Sequence, residues 1–267
     1  SIYSTFVIEE RHGFNKTTRK TFVTDIFKGL LISGAISSIL YATVIFIIIS
    51  AGDLWWIYAF AAVFTLQAII FFLYPVLIMP LFNKFEPLDD EQFKKPIEKL
   101  LEKVDFKSKG LFVMNASLRS THGNAFFTGF GKNKRIVFFD TLLKTINPDE
   151  MEAILGHELG HYKLGHIRKT LISSLVFGFL GFYILNEIFK SDNFFIAHGL
   201  ENLTVYSKFL MFYLVIGSYT FFTKPITSAL SRKREFEADD FSFQFTDGEH
   251  MLSLIHISDP TRPWAIA

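Results

Sequence analysis

Long apolar stretches dominate the pattern of hydrophobic and polar positions along the chain. Each of four segments reaches the roughly 20 residues that cross a bilayer as a helix. These segments are residues 26–50, 54–82, 171–189 and 209–230. For the last two, a buried core helix remains an alternative, because polar side chains lie near their ends. The pattern predicts a mainly α, integral-membrane helical bundle.

A polar insert, residues 83–147, separates the second apolar segment from the third. Within it, residues 89–104 have the apolar spacing of an amphipathic helix. Three short runs have the composition of β-strands: residues 109–115, 125–131 and 135–140. The turn at residues 131–134 (GKNK) joins the last two runs and predicts a β-hairpin.

These patterns divide the chain into four parts. Residues 1–82 hold a juxtamembrane segment and two membrane helices, and residues 83–147 form the insert. Residues 148–251 hold two further membrane helices and the polar helices next to them. Residues 252–267 lack periodicity and resemble translated adapter sequence, so we expect them to be a non-native tail.

Composition narrows the classes of function. Half of the 267 residues are hydrophobic, cysteine is absent and the formal net charge is +1. A charge this small argues against a nucleic-acid partner. Without cysteine, a disulfide framework, a thiolate metal site and a cysteine nucleophile are all excluded. Any metal would therefore be held by histidine and carboxylate groups.

Basic residues gather on one side of the predicted membrane helices. They precede the first and third apolar segments and follow the second and fourth. These positions share a side if every segment crosses the bilayer. The positive-inside rule assigns that side, which also carries the insert, to the cytosol.

Residues 147–150 (NPDE) have the features of a helix start. They provide a capping Asn, Pro in the first turn, and acidic side chains at the positive end of the helix dipole. We expect this helix to continue through Lys169. Gly156, Gly160 and Gly165 lie within it, and each costs up to about 1 kcal/mol of helix propensity. Close approach of a substrate or of another helix would compensate this cost.

The same helix carries the motif H-E-x-x-H at residues 157–161. His157 and His161 are four residues apart, so both imidazoles project from one helix face and can bind one metal ion. Glu158 lies about one hundred degrees round the helix. From there its carboxylate can take a proton from a zinc-bound water without ligating the ion.

A catalytic zinc site needs a third protein ligand. His166 is a poor candidate, because a continuous helix would put it about 13 Å along the axis from His157. Glu235 and Asp239 are better placed, one helical turn apart and beyond the fourth apolar segment. We expect Glu235 to reach the metal and Asp239 to orient a ligand histidine through its ring N–H. A charged juxtamembrane run remains an alternative for this pair.

Several sequence motifs together resemble the zinc-dependent CAAX prenyl proteases of the membrane. The matching motifs are FVIEERHGFN at 6–15, LFNKFEPL at 81–88, NAFFTGFGKNKRIVFFDTLL at 124–143, GHELGHYKLGH at 156–166 and SRKREFEAD at 231–239. The resemblance covers residues 1 to about 249. It is more specific than H-E-x-x-H alone.

The resemblance implies a fold, a site and a location. It implies seven membrane helices around a water-filled chamber, with a gluzincin-like H-E-x-x-H helix and a site open to the cytosol. His157, His161 and Glu235 would bind one Zn²⁺, and Glu158 would be the general base. Asn124 would hold the substrate backbone beside an edge strand. The location would be the endoplasmic reticulum membrane and, in animals, the inner nuclear membrane. We expect about three N-terminal membrane helices and a C-terminal segment of the family to lie outside this chain.

Three functions are open at this stage. The first is a zinc endopeptidase that cleaves the C-terminal tripeptide of prenylated CAAX proteins, with the lipid bilayer and prenylated peptides as partners. The second keeps this chemistry but acts in membrane-protein quality control, as in the heat-shock type of membrane protease. The third is non-enzymatic: a membrane scaffold or channel with a structural metal.

Overall fold

The computed structural model describes residues 1–129 and 134–246. The predicted tail and most of the predicted turn at 131–134 therefore lie outside the described residues. Two compact units divide the chain. Among the described residues, one comprises residues 1–33, 70–129, 134–165 and 236–246, and the other comprises residues 34–69 and 166–235.

Helices make up most of the described residues. In chain order they are α1 (Arg19–Ser50), α2 (Trp55–Leu73), α3 (Met79–Phe82), α4 (Glu91–Lys103), α5 (Leu142–Thr145), α6 (Pro148–Lys163), α7 (His166–Lys190), α8 (Asp192–Ala197), α9 (Val205–Thr220) and α10 (Lys224–Phe245). Four helical stretches of the described residues are long and apolar enough to cross a membrane: Arg19–Ser50, Gly52–Phe82, His166–Lys190 and Val205–Phe245. These stretches confirm the four predicted segments.

A four-stranded sheet forms in the insert, with the order β1-β2-β4-β3. Its strands are β1 (Phe85–Pro87), β2 (Leu111–Met114), β3 (Ala125–Thr128) and β4 (Arg135–Phe139). Strands β3 and β4 pair antiparallel, with Thr128 opposite Arg135, which confirms the predicted hairpin. Strand β1 and the parallel pairing of β2 with β4 were not predicted from the sequence.

The two edge strands of the sheet differ in their hydrogen-bonding groups. Around β1, the Lys84 carbonyl accepts from Asn115, and the Leu88 N–H donates to Leu111. Because alternate residues of a strand face opposite edges, Pro87 faces away from β2. Proline has no N–H to offer there, which is typical of an edge strand. At the other edge, β3 has no proline.

One core joins the sheet to the helices of the first unit. Helix α4 begins where the Asp90 side chain accepts the Gln92 N–H, and it packs against α6. The core also contains Ile136 and Phe138 of β4. Burying each large apolar side chain stabilises the fold by about 1.5–3 kcal/mol. This packing holds α6 against the sheet.

The second unit has a much smaller buried cluster. Val44 of α1, Trp55 and Ala59 of α2 and Leu185 of α7 form it, and the rings of Trp55 and Phe189 lie 5.5 Å apart. Most other apolar side chains on these helices are exposed. Helices that are apolar on all sides and still exposed are typical of membrane spans.

The prediction that the H-E-x-x-H helix continues through Lys169 is wrong. Helix α6 ends at Lys163, and a new helix, α7, begins at His166. Gly165 has a positive φ of 68°, a left-handed conformation that ends helices readily at glycine. Gly165 therefore lies outside both helices and carries no helix-propensity cost. The axial distance expected for His166 no longer applies, and its side chain is buried.

Candidate metal centre

Helix α6 begins as the sequence predicts. The Asn147 side chain accepts the Glu150 N–H, and the Glu150 carboxylate accepts the Asn147 N–H, both at 2.9 Å. This reciprocal capping box satisfies two N–H groups that would otherwise lack helical partners. Met151, Leu155 and Leu159 then bury one side of the helix in the core. The face that carries the two histidines is only half buried.

The two histidines of the motif face each other. The Nε2 atoms of His157 and His161 lie 3.1 Å apart. This follows from their separation by one helical turn. The structure therefore brings two imidazole nitrogens to one point beside α6.

Helix α10 approaches α6 at its glycines. A Cβ atom built on Gly160 would lie 2.9 Å from the Ala238 carbonyl oxygen, and one built on Gly156 would lie 2.7 Å from the Ser242 hydroxyl. The Ser242 hydroxyl also donates to the Ala153 carbonyl at 3.0 Å. These distances confirm that close approach of another helix compensates the two glycines.

This approach brings Asp239 to His157. The His157 Nδ1–H donates to the Asp239 carboxylate at 2.7 Å. A carboxylate can only accept this bond, so the ring proton is held at Nδ1 and the lone pair is left at Nε2. Nε2 is also the atom that faces His161.

Glu235 lies one turn before Asp239 on α10. Ligand atoms of His157, His161 and Glu235 all lie within 4.8 Å of one another. The two histidines are half buried and Glu235 is exposed. In the part of the chain that the structure describes, Glu158 does not join this group, although it is half buried next to His157.

Asn124 lies on a different element from these side chains. It immediately precedes the edge strand β3, which packs against α6. The Asn124 carbonyl accepts the Phe139 N–H at 2.9 Å, and its side chain accepts the Ala125 N–H at 2.8 Å. Asn124 is exposed. Asn124 therefore lies next to an edge strand, and its role in substrate binding stays a prediction.

Comparison with known protein families shows which family the chain belongs to. Residues 87–258 match Peptidase family M48, and residues 1–84 match the family described as CAAX prenyl protease N-terminal, five membrane helices. The first match alone covers more than half of the chain. The chain belongs to peptidase family M48. Together with the four candidate spans, the second match indicates a multi-pass membrane protein.

Curated M48 relatives are similar over most of the chain. The CAAX prenyl protease 1 homolog of Arabidopsis thaliana is 40% identical over 243 residues, which are 91% of this chain and 57% of the relative. CAAX prenyl protease 1 of Saccharomyces cerevisiae is 38% identical over 260 residues, with the same two shares of 91% and 57%. The chain thus spans little more than half the length of these relatives.

A solved structure is similar as well. The crystal structure of S. mikatae Ste24p matches with a TM-score of 0.85 at 32% identity. The match covers 97% of this chain and 64% of that chain. The fold described above is therefore similar to that of Ste24p over nearly the whole chain.

Membership of the M48 family implies a divalent metal, and the donor group fits one. Two nitrogens bound to zinc at about 2.0–2.1 Å in a tetrahedral arrangement lie about 3.3 Å apart. The 3.1 Å between the two Nε2 atoms is close to that value. Imidazole nitrogen together with carboxylate oxygen is a donor set that suits zinc.

The sequence analysis did not identify the small residues of α10 that allow close packing against α6. Ala238 and Ser242 are small, four residues apart, and lie against two glycines with the same spacing on α6. This matched spacing is the signal that could have revealed the contact. The sequence analysis also missed Arg119, which precedes the edge strand β3 and donates hydrogen bonds to Asp25 and to the Phe82 carbonyl.

Proposed function

We propose that the full-length protein is a zinc endopeptidase that removes the C-terminal tripeptide from prenylated CAAX proteins. The observation that carries this proposal is the convergence of His157, His161 and Glu235 within 4.8 Å of one another. The proposal places the enzyme in the endoplasmic reticulum membrane, with its site open to the cytosol. The names of the curated relatives support the choice of substrate.

His157, His161 and Glu235 would hold the zinc ion. When bound, zinc supplies a Lewis acid that lowers the pKa of a water to about 7 and polarises a peptide carbonyl. Asp239 keeps His157 in the tautomer whose Nε2 carries a lone pair that can bind metal. Glu158 accepts the proton of the attacking water and passes it to the leaving amine.

Asn124 and β3 would hold the peptide. A substrate in extended conformation adds to the outer edge of β3 through backbone hydrogen bonds. Asn124, at the start of that edge, adds a side-chain amide that can bond to the peptide backbone. Because β3 packs against α6, such a peptide passes close to the motif helix.

The mechanism is tested with the variant Glu158→Gln in the full-length protein. Glutamine keeps the size of the side chain but cannot accept the proton, so cleavage of a farnesylated peptide should fall by about 10²–10⁴-fold. Zinc content should stay unchanged, because Glu158 is outside the ligand group. Glu152→Gln, the same change on the same helix, is the control and should keep activity. Full cleavage by Glu158→Gln would reject the mechanism.

The substrate is tested by comparing peptides. We expect the farnesylated CAAX peptide to have a higher kcat/KM than the same peptide without its lipid. Cleavage of unprenylated, misfolded membrane proteins at a comparable rate would instead favour membrane-protein quality control.

A further inference from the structure

The loop before β3 is tied to the rest of its unit at many points. This edge loop, residues 115–123, connects β2 to Asn124 and the edge strand. At one end, the Asn115 side chain accepts the Lys84 N–H at 2.7 Å. At the other, the buried Thr141 hydroxyl donates to the His122 carbonyl at 2.8 Å. The position of the edge loop therefore determines where the edge strand begins.

Arg119 in the edge loop binds groups from two candidate membrane stretches. Its guanidinium donates to both carboxylate oxygens of Asp25, at 2.7 and 3.1 Å. It also donates to the Phe82 carbonyl at 2.7 Å and to the Asn83 side chain at 3.0 Å. Asp25 lies near the start of α1, and Phe82 is the last residue of α3. One side chain thus links the polar ends of both stretches to the edge loop.

The backbone of Arg119 holds a third segment. Its carbonyl accepts the Lys16 N–H at 3.0 Å and the Thr17 hydroxyl at 2.9 Å. The neighbouring Thr121 N–H donates to the Phe14 carbonyl at 3.0 Å. The segment that precedes α1 is thereby fixed to the same loop.

The Arg119–Asp25 ion pair is partly buried and can fix the orientation of the edge loop relative to α1. Only 26% of the Arg119 side chain and 24% of the Asp25 side chain are exposed, so solvent screens the pair less than a surface pair. A bidentate arginine–carboxylate pair also fixes relative orientation, which a single contact does not. By contrast, Lys95 and Glu91 on α4 form an exposed pair at 3.8 Å.

We propose that the Arg119–Asp25 pair is a positioning device that aligns the edge strand and Asn124 with the ends of the membrane helices, and thereby sets peptide affinity. This inference rests on the proposed function, because it assigns the peptide to β3. Neither residue touches the reacting atoms. The metal ligands lie on α6 and α10, so loss of the pair should affect peptide binding and leave the metal chemistry intact.

Kinetics of the full-length protein test the inference first. Arg119→Gln should raise KM for the farnesylated peptide about tenfold, as expected for the loss of hydrogen bonds to charged groups. The value of kcat and the zinc content should stay close to wild type. Asp25→Asn should have a smaller effect, since Arg119 keeps its contacts with Phe82 and Asn83. Lys95→Gln, which removes an exposed pair in the same unit, is the control and should leave KM unchanged.

A charge swap separates positioning from general destabilisation. D25R/R119D restores an ion pair with reversed polarity and should recover part of the lost affinity relative to Arg119→Gln. If Arg119→Gln leaves KM unchanged, or lowers kcat, zinc content and Tm together without rescue by the swap, the positioning role is overturned.

Hydrogen exchange tests the inference without any reference to hydrolysis. In Arg119→Gln, the amides of residues 115–128 should exchange faster while those of α6 keep their wild-type rates. Unchanged exchange at 115–128 would overturn the inference even if the protein is a protease. If exchange in Arg119→Gln is faster only at residues 115–128, the alignment role is supported. If the wild-type protein also cleaves no peptide, the proposed function is rejected independently of that result.

Discussion

The α6 side and the α10 side of the donor group are positioned in different ways. His157 and His161 face each other because the helical repeat puts them on one face of α6. Glu235 and Asp239 share a face of α10 for the same reason, but they reach the histidines only because two glycines of α6 let α10 approach. Local periodicity sets the spacing within each pair, whereas tertiary packing sets the distance between the pairs.

The largest expected effect comes from breaking the local pair. His161→Ala should abolish metal binding and lower activity by at least about a thousandfold, because several kcal/mol of charge stabilisation are lost and each 1.36 kcal/mol is tenfold. Zinc content per chain and peptide hydrolysis measure this. His12→Ala, at an exposed histidine of the N-terminal segment, should change neither. Retained stoichiometric zinc in His161→Ala would remove this residue from the ligand set.

Removing the Glu235 carboxylate on α10 should lower activity by a smaller factor. Glu235→Gln removes the charge of the proposed third ligand and, if about 3 kcal/mol of stabilisation is lost, activity falls about a hundredfold. Zinc affinity by competition with a chelator is the measurement. Asp240→Asn, a change at an exposed neighbour on the same helix, is the matched control. Equal zinc affinity in both variants would remove Glu235 from the ligand set.

The bond between the two sides can be weakened without removing a ligand. Asp239→Asn should lower metal affinity by about 10–100-fold, the usual effect of losing a carboxylate that orients a ligand histidine. The asparagine amide can present either N–H or carbonyl to His157, so the Nδ1 proton is no longer fixed. Histidine NMR signals would report the tautomers, and unaltered signals with unaltered affinity would argue against this role.

The contact between the helices is tested at Gly160. Gly160→Ala puts a Cβ atom 2.9 Å from the Ala238 carbonyl oxygen, and overpacking of this kind costs about 1–3 kcal/mol. If half of that strain displaces α10, zinc affinity falls by about 2- to 13-fold. Gly181→Ala in α7, where no atom lies within 4 Å of the added Cβ, controls for the gain in helix propensity. A fall of equal size in both variants would contradict the packing argument.

The smallest effect is expected at the start of α6. Asn147→Ala removes the capping box and should lower stability by about 1 kcal/mol. Zinc affinity should stay at the wild-type value, because the motif lies more than two turns further along the helix. Thermal unfolding and chelator competition measure the two quantities. A large loss of zinc would mean that the α6 pair depends on more than local periodicity.

The same distinction explains how far the sequence predicted the structure. The cap at Asn147, the spacing of the two histidines and the hairpin follow from local patterns, and the structure contains all three. The break at Gly165 was missed because a tolerated helical glycine and a terminating one have the same sequence signal. Strand β1 is only three residues long and contains a proline, so its pairing with β2 depends on tertiary context.

Contacts between distant segments were the least predictable. Arg119 and Asp25 are 94 residues apart in sequence, and nothing in the spacing of charges indicates that they meet. Glu235 was predicted as a ligand from its i, i+4 partner on a polar helix, but its distance from the motif could only come from coordinates. Loops and helix crossings bring such groups together, and neither has a sequence period.

Because of Pro87, the two edge strands of the small sheet differ in their ability to pair with a further strand. Over the described strands, the outer edge of β1 lacks one N–H donor at Pro87, so an added strand would form one hydrogen bond fewer there. The β3 edge has no proline, although the Ala125 N–H, which faces away from β4, already donates to the Asn124 side chain. Over the described strands, we therefore expect a strand-mimicking inhibitor of this protein to pair with β3 in preference to β1.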